Sequence, residues 1–397
     1  MIWQRVFLLL VVVVPLCFLF LVGCNMQPSS PTVTPSPTVA PNRAAWTIMM
    51  YMAADNDLYN LYFDRDWEAM EEIGSTDRVH IVAMVDRAST HRANYYYVRR
   101  GDVENLQELD SVNSGNGQIL SHFIRFAEQR YPAERYALIL WDHGGGWRTL
   151  NKGIGEDSQD QDLIEIPELA TALSQAGVHF SLIGIDACRM ATIEVAYEIR
   201  AHGDIMVASQ VDTWYSFPYR QFLQGLVQNP AMDASTLARE IIDNYVAAGA
   251  DRVLSAIKLN RVEPLAQALS NYATLLMSRR GLDRLPLSPS AVLQNKDSLW
   301  DEDIGCYLDI YNYAHATLDN PNPAISASSQ SILDRLQEAV DYLRANGTSE
   351  RWHHGLSVYF PTSCALWDLC WTQYEELAFS AFRWDELIDF SCAFGPP

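Results

Sequence analysis

From Trp46 onward, short apolar runs closed by polar turn residues alternate with stretches of helical period. Residues 46–52, 80–86, 136–142, 180–188 and 204–210 are rich in β-branched and large side chains and lack polar alternation. That is the pattern of strands buried on both faces. Between them, Leu58, Leu61, Tyr62 and Met70 share one side of a helix through about Glu72, capped by Asp55, Asn56 and Asp57. Ile119, Phe123, Phe126 and Ala127 do the same over 118–131. Ile166-Pro167-Glu168 opens another helix, with proline at an early position. Residues 94–99 read as an edge strand, and 235–247 and 264–277 as helices flanking a strand at 254–259. A further helix is expected over 332–343 and a late buried strand over 355–361. Strands alternating with helices predict an α/β fold, a mostly parallel sheet covered on both faces.

The first residues break this pattern. Residues 1–23 carry Arg5 and then an uncharged apolar run interrupted by Pro15, as a targeting segment does. The run is also long enough for an anchor helix. Leu21-Val22-Gly23-Cys24 resembles a bacterial lipobox, which makes Cys24 the lipid acceptor and residues 1–23 a lipoprotein signal peptide. Residues 24–44 then form a tether, because 27–42 are rich in Pro, Ser and Thr without periodicity. The folded body, expected outside the cytoplasm and tied to a membrane, divides into a core over 45–230 and an integrated subdomain over 231–397.

With 397 residues, 49% of them hydrophobic, the chain can bury a large core. Its net charge of −21 excludes a nucleic-acid partner, because no basic patch is available to neutralise phosphates. Of seven cysteines, Cys306, Cys364, Cys370 and Cys392 remain once Cys17, Cys24 and Cys188 are set aside. In an oxidising compartment these four allow up to two disulfides in three connectivities.

Two strand ends carry the candidate chemistry. Cys188 closes the run 180–188 and Met190, Ile193, Ala196 and Ile199 follow at helical spacing, so a helix is expected to begin near the cysteine. A helix N-terminus there would favour a thiolate. His143 follows the run 136–142 and precedes Gly144-Gly145-Gly146, where the backbone can turn sharply and approach a ligand. If the strands are parallel neighbours, His143 and Cys188 share one sheet edge, where open α/β folds keep their sites. Taken singly, a buried cysteine is a small hydrophobe and a histidine before glycines is a turn residue. Residues 151–165 hold Glu156, Asp157, Asp160 and Asp162, which either ligate calcium through oxygen or form a solvated acidic loop. The aromatic stretch 211–219 is either a pocket wall or an apolar plug. His353 and His354 read as surface or packing residues.

At these blocks the chain resembles the clostripain-family cysteine peptidases of the caspase-like clan. The resemblance runs from 46–58 through 131–147, 185–191, 208–210, 308–311, 355–361 and the Trp384-Asp385-Glu386-Leu387 block. It implies a caspase-like α/β/α sandwich and a His143/Cys188 dyad that hydrolyses peptide bonds through an acyl-enzyme. It implies an oxyanion site from backbone N–H groups of Gly144 and Cys188, and Asp186 selecting Arg or Lys before the scissile bond. The bland alternative makes Asp186 a cap for the next helix. Where family members often read Gly-Trp-Asp-Tyr or Gly-Trp-Pro-Tyr, this chain has Ser216-Phe217-Pro218-Tyr219, so a second pocket carboxylate is missing there and Asp212 substitutes only if the loop folds inward. The resemblance further implies self-cleavage at Lys152 and calcium at the acidic loop. The partners expected are protein or peptide substrates and, through the lipid, a membrane. The alternatives are a catalytically silent binding lipoprotein and a peptidase of non-basic specificity.

Overall fold

The computed structural model describes residues 43–147, 153–213, 215–278, 307–361 and 363–394. Residues from Arg43 onward form one compact unit. The Cys24, Lys152 and Cys306 expectations, and the signal and tether up to residue 42, lie outside the described residues.

The apolar runs become β1 (Ala44–Ala54), β2 (Val79–Arg87), β5 (Ala133–Trp141), β8 (Phe180–Asp186) and β9 (Gly203–Ala208). They pair in parallel in the spatial order β9-β8-β5-β1-β2. β3 (Arg92–Arg99) and β4 (Asp102–Glu108) extend the sheet antiparallel beyond β2, and β10 (Val253–Lys258) and β12 (Val340–Ala345) extend it beyond β9. Residues 94–99 are therefore not the sheet edge, because β4 covers them. The polar string Asp102–Glu108 hid that strand, being largely solvated as an outermost strand should be. The helix expected over 332–343 ends at Ala339, inside the helix Pro323–Ala339, and the chain continues as β12. Pairing with β10 overrides the helical period there.

Side chains of the sheet alternate between two cores. Met49, Tyr51 and Ala53 of β1 face the helices α2 (Gly117–Arg130), α3 (Ile166–Ala176), α4 (Ile193–Ile199) and α7 (Val262–Ser278). Ile48, Met50 and Met52 face α1 (Asp64–Ile73), α5 (Tyr219–Gln228) and α6 (Ala234–Ala247). The fold is thus the expected α/β sandwich. The late apolar run forms β13 (Ser357–Tyr359), which pairs with β11 (Tyr307–Asp309) in a small separate sheet. Cys364 and Cys392 are joined in a disulfide, and Cys370 is buried with Sγ 3.0 Å from Tyr359 Oη.

Candidate active site

The connections from β1 and β5 run to opposite sides, so the crevice above their carboxyl ends is the topological switch point of the sheet. Trp141 at the end of β5 pairs with Asp186 at the end of β8. His143 and Cys188 each lie two residues further on, so register brings their main chains side by side. Contact confirms this: a Cβ on Gly144 would stand 2.6 Å from Cys188 O and 3.0 Å from Cys188 N, so only glycine permits the approach. Gly146 takes φ +75°, and Tyr307 Oη donates to Gly145 O at 3.0 Å, pinning the turn from the small sheet. Asp57, His143, Gly144, Asp186, Cys188 and Asp212 line one cleft of about 300 Å³, walled by Leu58, Tyr62, Trp141 and Tyr215. The aromatic stretch thus supplies part of a pocket wall.

His143 is oriented from β1. Its Nε2 lies 2.6 Å from Asp57 Oδ1. The loop carrying Asp57 is fixed by Asn56, whose Nδ2 donates to Asp142 Oδ1 at 2.7 Å, to Ala53 O at 3.0 Å and to Glu156 O at 3.1 Å. Glu156 N donates to the other Asp142 oxygen. Burial pushes the Asp142 carboxyl up to about 7, opposed by the Glu156 N–H and the neighbouring His143. Sequence pattern presented Asp55, Asn56 and Asp57 as helix caps. Their link to a histidine 86 residues away has no local signal.

Cys188 does not stand at a helix N-terminus. Residues 187–192 form an irregular turn with Arg189 at φ +60°, and α4 begins at Ile193 behind a Thr192 cap. The spacing of Met190 and Ile193 reflected burial, not helix. Burial pushes the Cys188 thiol up, and the Asp212 carboxylate pushes it further. The Thr213 N–H, 3.2 Å from Sγ, and the Arg189 guanidinium oppose this. Arg189 Nη2 holds Asp212 Oδ2 at 2.6 Å on the cleft wall.

Asp186 is 5% exposed and caps no helix. Its Oδ2 accepts from Phe217 N at 2.9 Å and from Tyr219 Oη at 2.7 Å, so the Ser216–Tyr219 departure folds directly onto it. Burial pushes its carboxyl up to about 8, with Asp66 adding repulsion. Among the acidic-loop residues, Asp157 is buried, whereas Asp160 is exposed and Glu156 contributes main-chain atoms. The loop does not gather Glu156, Asp157 and Asp160 into one set. The carboxylate oxygens that converge among the described residues belong to Asp55, Asp86 and Asp157.

Below the cleft, the Ala208-Ser209-Gln210 block meets the late blocks. Gln210 Nε2 donates to Asp309 Oδ2 at 3.1 Å and to Ser357 Oγ at 2.8 Å, and its Oε1 accepts from Gly355 N at 2.6 Å. His354 Nδ1 lies 3.0 Å from Asp309 Oδ1, and its ring stacks on Tyr311. His354 is thus a packing residue.

The profile of the clostripain family matches residues 50–390. The chain is 22% identical over 421 aligned positions to clostripain from Hathewaya histolytica, covering 86% of this chain and 80% of that protein. Its fold matches an inactive zymogen C11 protease from Parabacteroides distasonis at TM-score 0.67 and 22% identity, covering 86% of this chain and 99% of the other. It also matches a secreted C11 cysteine protease from Bacteroides thetaiotaomicron, solved with an irreversible peptide inhibitor, at TM-score 0.63 and 21% identity, with 84% and 99% covered.

Proposed function

This chain belongs to the clostripain family and is a cysteine endopeptidase; on that premise we propose that the His143/Cys188 pair cuts peptide bonds after Arg, and also after Lys. The observation that carries the reading is the register of β5 and β8, which sets the two side chains at one edge of a cleft with Asp186 in its wall. The Cys188 thiol passes its proton to His143 as sulfur attacks the scissile carbonyl, and N–H groups of Gly144 and Cys188 hold the oxyanion. His143 then gives that proton to the departing amine, and water, deprotonated by His143, releases the acyl group and restores the thiol. Burial and Asp212 favour the neutral thiol at rest, so the proton leaves sulfur in the course of attack.

Basic selectivity is supported by Asp186. Both of its donors, Phe217 N and Tyr219 Oη, reach Oδ2, which leaves Oδ1 for a guanidinium or ammonium. The pairing of Asp212 with Arg189 favours a second reading, in which the pocket offers too little free charge and takes an uncharged side chain. An Arg-directed acyloxymethyl ketone decides between them. Peptide mapping after treatment should find the adduct on Cys188, and the norleucine analogue should label far more slowly. No adduct on Cys188 with either reagent would remove the dyad assignment.

The lipobox-like Leu21-Val22-Gly23-Cys24 supports lipid attachment at Cys24 and a place outside the cytoplasm, tested by radiolabelled palmitate in the chain and in Cys24→Ala. Cleavage at Lys152 would divide the His143 and Cys188 blocks. An active enzyme that remains one intact chain would rule it out.

A further inference from the structure

We propose that Arg252 binds an acidic side chain of the peptide substrate, in a second cavity that shares a wall with the cleft of Cys188. The cavity holds about 280 Å³ and is lined by Arg65 of α1, Arg220 of α5 and Arg252, the residue before β10. Tyr215 and Ser216 line both spaces, so the two adjoin along that stretch of chain. The chain as a whole carries a net charge of −21, yet these three arginines face a single lining carboxylate, Asp66. The cavity is therefore a local reversal of the protein's field, suited to an anion.

Two of the arginines have partners. Arg65 Nε donates to Asp66 Oδ1 at 2.9 Å and its Nη2 to Ser216 Oγ at 3.1 Å, and Arg220 Nη2 lies 2.6 Å from Glu72 Oε2. Arg252 is different. It is 9% exposed and has no carboxylate partner among the described residues. Its Nη1 donates to Tyr245 O at 3.0 Å, whereas Nε has no partner among them. The guanidinium carbon lies 4.3 Å from the centre of the Tyr215 ring and 5.0 Å from that of Tyr245. Stacking on the rings offsets part of the cost of burying a cation, but it leaves the donor fork short of acceptors. Asn346 Oδ1 accepts from Arg252 N at 2.8 Å and Asn346 N donates to Arg252 O at 3.0 Å, so the main chain that carries the guanidinium is fixed. A fixed, buried and always charged group without a counter-ion is a place prepared for one.

The planar fork suits a carboxylate or a phosphate. Contiguity with the cleft selects the carboxylate of a substrate. A peptide seated with its basic residue at Asp186 has only Tyr215 and Ser216 between it and Arg252. Arg252 is then a specificity residue, remote from the reacting atoms. That consequence rests on the peptidase reading.

The test uses the purified full-length chain and peptides with one arginine and one glutamate. The glutamate is placed in turn at successive positions on either side of the arginine, and each peptide is matched by its glutamine counterpart. At one position glutamate should raise kcat/KM about ten-fold over glutamine, chiefly through KM. In Arg252→Gln that ratio should fall to about one. If Arg252→Gln does not fold, Arg252→Lys takes its place and should still lower the ratio, because an ammonium lacks the fork. Ratios near one at every position in the wild type, or an undiminished ratio in the folded variant, overturn the proposal and leave the peptidase reading standing. Calorimetry on the full-length Cys188→Ala chain makes the same comparison without turnover. The glutamate peptide should bind about ten-fold more tightly than its glutamine counterpart, and adding Arg252→Gln should remove the gain. That preference without any cleavage by the wild type would count against the peptidase and for the carboxylate site, whereas equal binding overturns the site. Inorganic phosphate that binds through Arg252 while the two peptides bind alike would make this a free-anion site and overturn the proposal too.

Discussion

Asp57 Oδ1 stands 2.6 Å from His143 Nε2, joining the loop after β1 to the turn after β5 across the switch point of the sheet. That bond engages Nε2, so in the proposed dyad Nδ1 is the nitrogen that exchanges a proton with the Cys188 thiol. The Asp57 side chain is 73% exposed, so water screens the pair and its value is geometric more than electrostatic. Asp57→Asn should lower kcat by about ten-fold and leave KM unchanged, the pattern of an interaction made in the transition state. Separate kcat and KM values check this, and an unaltered kcat would remove Asp57 from the machinery.

The Asp212 carboxylate holds the Cys188 thiol up, and its guanidinium partner Arg189 holds it down. Asp212→Asn removes the first influence and releases the second. The midpoint of Cys188 alkylation by iodoacetamide, followed against pH by peptide mapping, should therefore move to lower pH. A midpoint that stays or rises would contradict the electrostatic account.

Asp186 carries a carboxyl pushed up to about 8 by burial, so near neutrality the free enzyme holds it largely protonated. On the proposed basic specificity, a cationic side chain before the scissile bond binds the ionised form. The ratio of kcat/KM for an arginine substrate to that for its citrulline isostere should thus climb as pH rises through about 8. Taking the ratio cancels the titration of Cys188, which both substrates share. A flat ratio would place the specificity elsewhere.

Glu194 is fully buried on α4. Its Oε1 accepts from Tyr359 N at 2.7 Å and Tyr374 Oη at 3.2 Å, while Oε2 has no partner among the described residues. Burial pushes its carboxyl up to about 7. A carboxyl raised on folding favours the folded state at low pH, and that contribution is lost as pH climbs through the folded value. Glu194→Gln, which stays neutral, should therefore be more stable than the wild type at pH 8 by roughly 3 kcal/mol, and near-neutral in effect at pH 4. Denaturant unfolding at both values tests the sign.

The two strand ends were legible because burial on both faces writes continuous apolar runs, and because glycines must follow His143 where the chain meets Cys188. The late blocks around Asp309 and Gly355 were legible as motifs, although their meeting at Gln210 could not be inferred from spacing. The turn at 187–192 was misread, since residues buried on all sides mimic helical periodicity whether or not they are helical. β4 was missed because an outermost strand keeps its polar side chains in water. Asp57 and Arg189 gave no local sign either, for each acts on a partner distant in sequence.

Hydrolysis of fluorogenic peptides varied at the residue before the scissile bond tests the central claim most directly, with Cys188→Ala and His143→Ala as comparisons. Cleavage after Arg, weaker after Lys, and absent in both variants is the predicted result. Hydrolysis that survives Cys188→Ala, or none from a folded chain in calcium, would contradict the assignment of the dyad.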